Sequence, residues 1–199
     1  MTKSTDKAIK MIRRLRIARP RDLVRAGITP TGIARMVEVG QVARIGRGLY
    51  ALPDSDLGEK ESILLVAARA PKVVFCLLTA LRLHGLTTQN PASVWIAIAH
   101  KGRAPVMEHP PLHILRATER VFEIGVVKRV IQGIQVRVYN PAKTVADCFK
   151  FRSLIGQDVA VEALRDCWEQ RKATMDELWK YAKLNRVSVL MRTYMETLT

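Results

Sequence analysis

The sequence is poor in the features that mark several large functional classes. Its three cysteines, Cys76, Cys148 and Cys167, are odd in number, far apart and form no Cys-x-x-Cys pair. Neither a disulfide framework nor a zinc site follows from them, and three buried, reduced thiols are expected. Aromatics make up 6% of the chain, and no uncharged run approaches a membrane span, the apolar stretch 73–81 being too short. The opening MTKSTDKAIKMIRRLRI lacks the apolar centre of a secretion signal and the Ser-rich, acid-poor look of a transit peptide, so a cytoplasmic protein with no membrane partner is expected. No internal repeat or low-complexity segment is present.

Catalytic signatures are also missing. There is no Gly-x-Ser-x-Gly elbow and no Walker loop, and glycine-rich phosphate cradles are absent outside residues 46–48. His109 and His113 have the spacing of helical metal ligands, but Pro110 and Pro111 between them exclude a helix. His84 precedes Gly85 at an expected helix end, where it can bond the last carbonyls. A metal-dependent nuclease needs clustered carboxylates, and the expected strands 94–99 and 134–138 contain no Asp or Glu. The expectation is therefore no enzyme, no cofactor and no metal, with a winged-helix nuclease kept as an alternative.

What the chain does have is positive charge, unevenly placed. Formal net charge is +15 over 199 residues. Residues 1–52 hold 12 Lys/Arg against 3 Asp/Glu, so about a quarter of the chain carries +9 of that excess. Clustered Lys and Arg neutralise phosphates and release counterions, which is the main source of affinity for nucleic acid. A basic surface that only aids solubility is the alternative.

The same segment has a recognisable pattern. Residues 5–17 read as a helix with Ala8, Ile9, Ile12 and Leu15 inward and Lys7, Lys10, Arg13 and Arg14 outward. Pro20 suits a helical first turn and Gly27 the position past a helix end. Gly27-Ile28-Thr29 leaves the short turn of a helix-turn-helix. Thr29 can cap the next helix, with Pro30 first in it and Ile33, Met36 and Val37 on its inner face. Two apolar runs, 42–45 and 49–52, flank Gly46-Arg47-Gly48 and signal a hairpin. This is a winged helix, a scaffold that commonly touches double-stranded DNA.

Beyond Leu52 the turn-rich Pro53-Asp54-Ser55-Asp56 suggests a boundary, dividing a DNA-binding domain 1–53 from a second domain 54–199. Asp56 and Glu59 have a loose capping-box spacing before an apolar helix stopped by Pro71, and a second helix runs from Leu77 to Gly85. Strands are expected at 94–99 (apolar on both faces), 112–116 and 122–127, with a hairpin turning at Gln132-Gly133. Asn140-Pro141 opens a helix, followed by helices over 158–171, from a Thr174–Glu177 capping box to Lys183, and over 187–198. The fold class is α+β: an N-terminal winged helix-turn-helix, then an α+β domain with a small sheet and a helical C-terminal tail.

Within the winged helix, Thr31 and Arg35 are four apart and face away from Ile33 and Val37. Arg35 could read guanine O6 and N7 in the major groove, or contact only phosphate or solvent. Arg44 and Arg47 lie on the wing, where an arginine can enter the minor groove or stay an ordinary hairpin charge. Lys10, Arg13 and Arg14 suit phosphate contacts. Thr29 completes the expected DNA-binding set.

With these segments placed, the chain resembles the AbiEi-type antitoxins of type IV (abortive infection) toxin–antitoxin pairs. Residues 39–50, VGQVARIGRGLY, are similar to that family's wing with its Arg-Gly-aliphatic-Tyr signature. Residues 79–86, TALRLHGL, resemble its His-Gly-Leu helix, and 136–149, VRVYNPAKTVADCF, its Pro-Ala-basic-Thr-aliphatic-x-Asp helix start. The helical tail beyond Asp158 is the fourth likeness. The resemblance implies an autorepressor of its own operon whose C-terminal domain counters a nucleotidyltransferase toxin. It implies an antitoxin surface that includes Lys143, Asp147, Lys150 and Arg152. For Lys143 and Asp147, four apart, the favoured reading from the residues is structural, an ordinary helix pair worth about 0.2–0.5 kcal/mol and here in the less favourable order. A stand-alone winged-helix regulator, or a winged helix used only for protein contacts, remains open.

Overall fold

The computed structural model describes residues 3–55 and 58–198. The chain divides into two compact units, the first made of Met1–Lys72, Pro105–Pro110 and Lys128–Val136, the second of Val73–Ala104, Pro111–Val127 and Arg137–Thr199.

The first unit opens with α1 (Lys3–Leu15), α2 (Pro20–Arg25) and α3 (Pro30–Glu38), followed by the hairpin β1 (Ala43–Gly46) and β2 (Leu49–Ala51). Each boundary has a local cause. Pro20 begins α2, and the backbone N–H of Arg19 donates to the Asp22 carboxylate at 3.0 Å. Gly27 takes φ +90°, a left-handed value open to glycine at little cost, and turns the chain toward α3. The Thr29 hydroxyl accepts from the Gly32 N–H at 3.1 Å and caps α3. The hairpin is antiparallel, with a register shift between Arg44 and Gly46, and Ala18 adds a bridge to Tyr50. Ala8, Ile12, Leu23, Ile28, Ile33, Met36 and Val42 form one buried cluster, so the three helices and the wing share a core. The compact unit continues past Pro53 through α4 (Glu61–Arg69) to Lys72. Asp56, half of the expected capping box with Glu59, lies outside the described residues.

The second unit contains most of a five-stranded sheet. Its strands are β3 (Val74–Phe75), β4 (Val94–Ala99), β5 (Leu112–Ala117), β6 (Val126–Ile131) and β7 (Ile134–Tyr139), in the order β5-β4-β3-β7-β6. β4 is antiparallel to β3 and parallel to β5, pairing Val94 with Leu112 through to Ala99 with Ala117. Residues 94–98 are all buried, as expected of a strand covered on both faces. The strand expected over 122–127 starts late, at Val126, and runs to Ile131, because Glu119–Phe122 is a helical turn, α6, followed by a turn. The chain reverses at Gly125, which takes φ +78°, and its carbonyl accepts from the Asn140 N–H at 2.7 Å. The hairpin turns at Gln132-Gly133 with both φ values positive, +48° and +79°.

Helices pack against this sheet. α5 (Leu77–His84) ends on a left-handed Gly85. α7 (Pro141–Lys150) is capped by the Asn140 side chain, which accepts from the Lys143 N–H at 2.8 Å. α8 (Arg152–Ile155) and α9 (Gln157–Glu169) follow, then α10 (Met175–Leu184) behind the expected Thr174–Glu177 capping box, then α11 (Ser188–Met195). α7 is the central helix, touching α5, α9, α10 and α11. Its own Phe149 and, from its neighbours, Leu81, Leu164, Leu178 and Met191 are fully buried, each side chain worth about 1.5–3 kcal/mol of transfer from water. Cys76, Cys148 and Cys167 are free and buried.

Candidate nucleic-acid interface

All eight residues expected at the DNA face, Lys10, Arg13, Arg14, Thr29, Thr31, Arg35, Arg44 and Arg47, are exposed in the first unit. α3 carries Ile33 and Met36 into the core and leaves Thr31, Ala34, Arg35 and Glu38 outside. The helix period separates the two sets, so burial of the inner pair fixes the direction in which Arg35 is presented. Thr29 and Thr31 share a hydroxyl hydrogen bond of 3.0 Å. Thr29 is first of all the cap of α3, and Thr31 stands beside the positive end of that helix, where a phosphate oxygen is favoured.

On the wing, the Arg44 Nε donates weakly to the Gly46 carbonyl at 3.4 Å, laying its side chain along the hairpin. Arg47 is at the turn, followed by Gly48 with φ +69°. A side chain at Gly48 would meet nothing closer than Pro20 Cδ at 3.9 Å, so backbone conformation rather than crowding calls for glycine there.

The unit holds further basic residues beyond those eight. Arg21 and Arg25 are exposed on α2, and Arg16 is exposed just past α1. Arg19 is partly buried, and burial together with the nearby Arg21 lowers its pKa from the usual guanidinium value. The density of arginine over residues 13–25 was the available signal. Lys128 and Arg129 are exposed on the hairpin segment that belongs to the same unit. A Cβ at Gly133 would lie 2.8 Å from the Arg14 carbonyl oxygen, so that turn rests against the end of α1. Nothing in the local sequence announces a neighbour so distant in the chain.

In the second unit the expected surface around Lys143 and Asp147 needs correction. Lys143 and Asp147 are 2% and 5% exposed, and they are interior residues. The Lys143 Nζ donates to both Asp147 oxygens, at 2.5 and 2.6 Å, and lies 4.4 Å from the centre of the Tyr139 ring. Asn185 Nδ2 donates to Asp147 Oδ1 at 2.7 Å. This is a buried, hydrogen-bonded ion pair, not the weak helix-surface pair that its spacing suggests. Its charge also touches the neighbours: burial, with Asp147 adding to it, pushes the Cys76 and Cys148 thiols well up. Lys150 and Arg152 do remain exposed, with Arg152 donating to the Phe149 carbonyl at 3.0 Å.

Two of the four histidines have side-chain partners that hold the fold. The His84 Nε2 donates to the Tyr139 carbonyl at 2.7 Å, tying the end of α5 to the end of β7. His113 stacks on Trp95 with ring centres 4.1 Å apart. Among the described residues no three His, Cys, Asp or Glu side chains gather where they could hold a metal ion, and no helix is long and apolar enough to cross a membrane.

Comparison with known proteins agrees with the reading of the first unit. Residues 8–53 match the family described as "Transcriptional regulator, AbiEi antitoxin". No curated protein matches the chain. Among solved structures, the RV2827C protein from Mycobacterium tuberculosis is similar, with a TM-score of 0.62 and 13% identity over 92% of this chain and 72% of that one. At that identity the likeness concerns the fold.

Proposed function

Proceeding from a regulator domain of the AbiEi antitoxin family, we propose that this chain is the antitoxin of a type IV toxin–antitoxin pair. It binds the DNA of its own promoter as an autorepressor and counters a nucleotidyltransferase toxin. The observation that carries the reading is the coincidence of the family match at 8–53 with an exposed Arg35 on α3 and exposed Arg44 and Arg47 on the wing. In this reading α3 enters the major groove with Arg35 and Thr31 toward base edges. Lys10, Arg13 and Arg14 take phosphates, and the wing arginines reach the minor groove. We place the functional division at Pro53, with protection from the toxin residing in 54–199. Lys150 and Arg152 are the exposed members of the antitoxin surface, and Lys143 and Asp147 support it from within.

The test has two halves. The full chain is titrated with its upstream DNA and with random duplex DNA across a range of salt. Specific binding with a steep loss as salt rises supports the repressor role, since each phosphate contact adds about 0.9 to the log–log slope. Failure to prefer the upstream DNA overturns it. Co-expression with the product of the neighbouring gene then tests rescue of growth. Specific DNA binding without rescue would leave a stand-alone winged-helix regulator.

A further inference from the structure

We propose that the second unit contains a binding site for a phosphate group, in a cavity beside the buried Lys143–Asp147 pair. The cavity has a volume of about 160 Å³. A cavity of that size holds several waters. Lys143, Asp147 and Asn185 line it, with Thr118, Arg116 and Lys150. The last three are exposed, whereas Lys143, Asp147 and Asn185 are buried. The site therefore runs from a cationic rim to a charged interior.

The charges decide the ligand. Three cations, Arg116, Lys143 and Lys150, face one carboxylate, Asp147, leaving an excess of two positive charges. A phosphate monoester is close to a dianion at neutral pH. Arginine, lysine and a threonine hydroxyl are the donors such a group accepts from. Arg116 is already held in place, its Nη1 donating to the carbonyls of His100 at 2.6 Å and Gly102 at 3.0 Å. Those bonds use one of its three nitrogens. Lys143 is equally fixed: a Cβ added to Gly125 would come within 3.0 Å of its Cβ, and Tyr139 covers its ammonium. The interior lysine and the rim arginine thus need little reorganisation to receive an anion.

The alternative is a purely structural pair. Taking two charges out of water is expensive, and well-packed apolar side chains of similar volume generally serve stability as well or better. A structural pair gains nothing from a cavity of this size beside it, whereas a binding site requires one.

The experiment uses the full chain. Inorganic phosphate is titrated calorimetrically against chloride at equal ionic strength, with the thermal midpoint read by tryptophan fluorescence. Trp95, Trp168 and Trp179 all lie in the second unit, so the signal reports on the unit in question. One saturable equivalent per chain is expected. Lys150→Gln, at an exposed rim position, should weaken it at least fivefold. The pair-free variant Lys143→Met/Asp147→Leu should abolish it; if that variant does not fold, Lys150→Gln decides alone. The triple variant Arg35→Ala/Arg44→Ala/Arg47→Ala should bind phosphate as the parent does, which keeps this result separate from the DNA reading. Ribose 5-phosphate and adenosine monophosphate, titrated in the same way, identify the source. Tighter binding of either assigns a phosphorylated metabolite, and equal binding assigns the phosphate ion itself. No saturable binding by 20 mM phosphate, parental affinity in Lys150→Gln, or loss in the arginine triple would each overturn the proposal.

Discussion

Replacing Lys143 by Met should be among the most damaging single changes in the second unit. The side chain stays unbranched and only one atom shorter, but Asp147 loses two hydrogen bonds of 2.5 and 2.6 Å and stays buried, with the Asn185 amide still donating to it. Removing one partner of a buried pair typically costs about 3–5 kcal/mol, because an uncompensated charge stays in the interior. For a unit of this size, 1 kcal/mol corresponds to about 4 °C in the unfolding midpoint, so a fall of about 12–20 °C is expected. Asp147→Leu alone should cost a similar amount, through the unpaired ammonium. The double variant removes both charges and should recover most of the loss, lying within about 2 kcal/mol of the parent. The assay is urea and thermal unfolding followed by tryptophan fluorescence, which all three tryptophans confine to this unit. The cycle isolates the pair energy only if each single change introduces no new contact. A loss below about 1 kcal/mol for Lys143→Met would refute the reasoning. So would single losses that simply add in the double variant, since the two groups would then not be coupled.

Arg35→Ala should cost about 1–3 kcal/mol on the upstream DNA and narrow the gap to random duplex, whereas Arg13→Ala should weaken both by similar factors; equal losses for both variants on both DNAs would remove Arg35 from base reading. The Arg35, Arg44 and Arg47 triple alanine variant should fail to repress its promoter yet still rescue growth from an independent promoter. Rescue lost with repression at matched expression would show that the two activities are not divided at Pro53. Burial pushes the Cys167 thiol up to about 12 from its ordinary 9.0. The folded state thus holds a proton that the unfolded chain releases, and the resulting stability is intact below pH 9 and lost as pH rises from 9 to about 12. A stability profile flat across that window would contradict it. All three buried thiols should also resist iodoacetamide at pH 8 until the chain unfolds.

The sequence by itself determined the parts of this protein whose causes are local. Thr29-Pro30, Asn140-Pro141 and Thr174–Glu177 begin helices because a side-chain oxygen three residues upstream meets a free N–H. Gly46-Arg47-Gly48 and Gln132-Gly133 mark their hairpins because such turns need backbone angles that few residues adopt. The exposure of Arg35 was equally legible, since Ile33 and Met36 must point inward and the helix period does the rest. The strand expected over 122–127 starts late for a non-local reason. Gly125 and Asn140 meet through a hydrogen bond between segments 15 residues apart, and the chain reverses there instead of extending. The largest revision concerns Lys143 and Asp147. Their spacing in sequence describes a helix pair and nothing about its surroundings. Only the tertiary fold brings Asn185 from 38 residues downstream, the Tyr139 ring and Gly125 around them, and so turns a weak surface contact into a buried charge pair. Burial of a polar group is a property of what covers it, and the covering residues are gathered by packing rather than by the period of the helix that carries it.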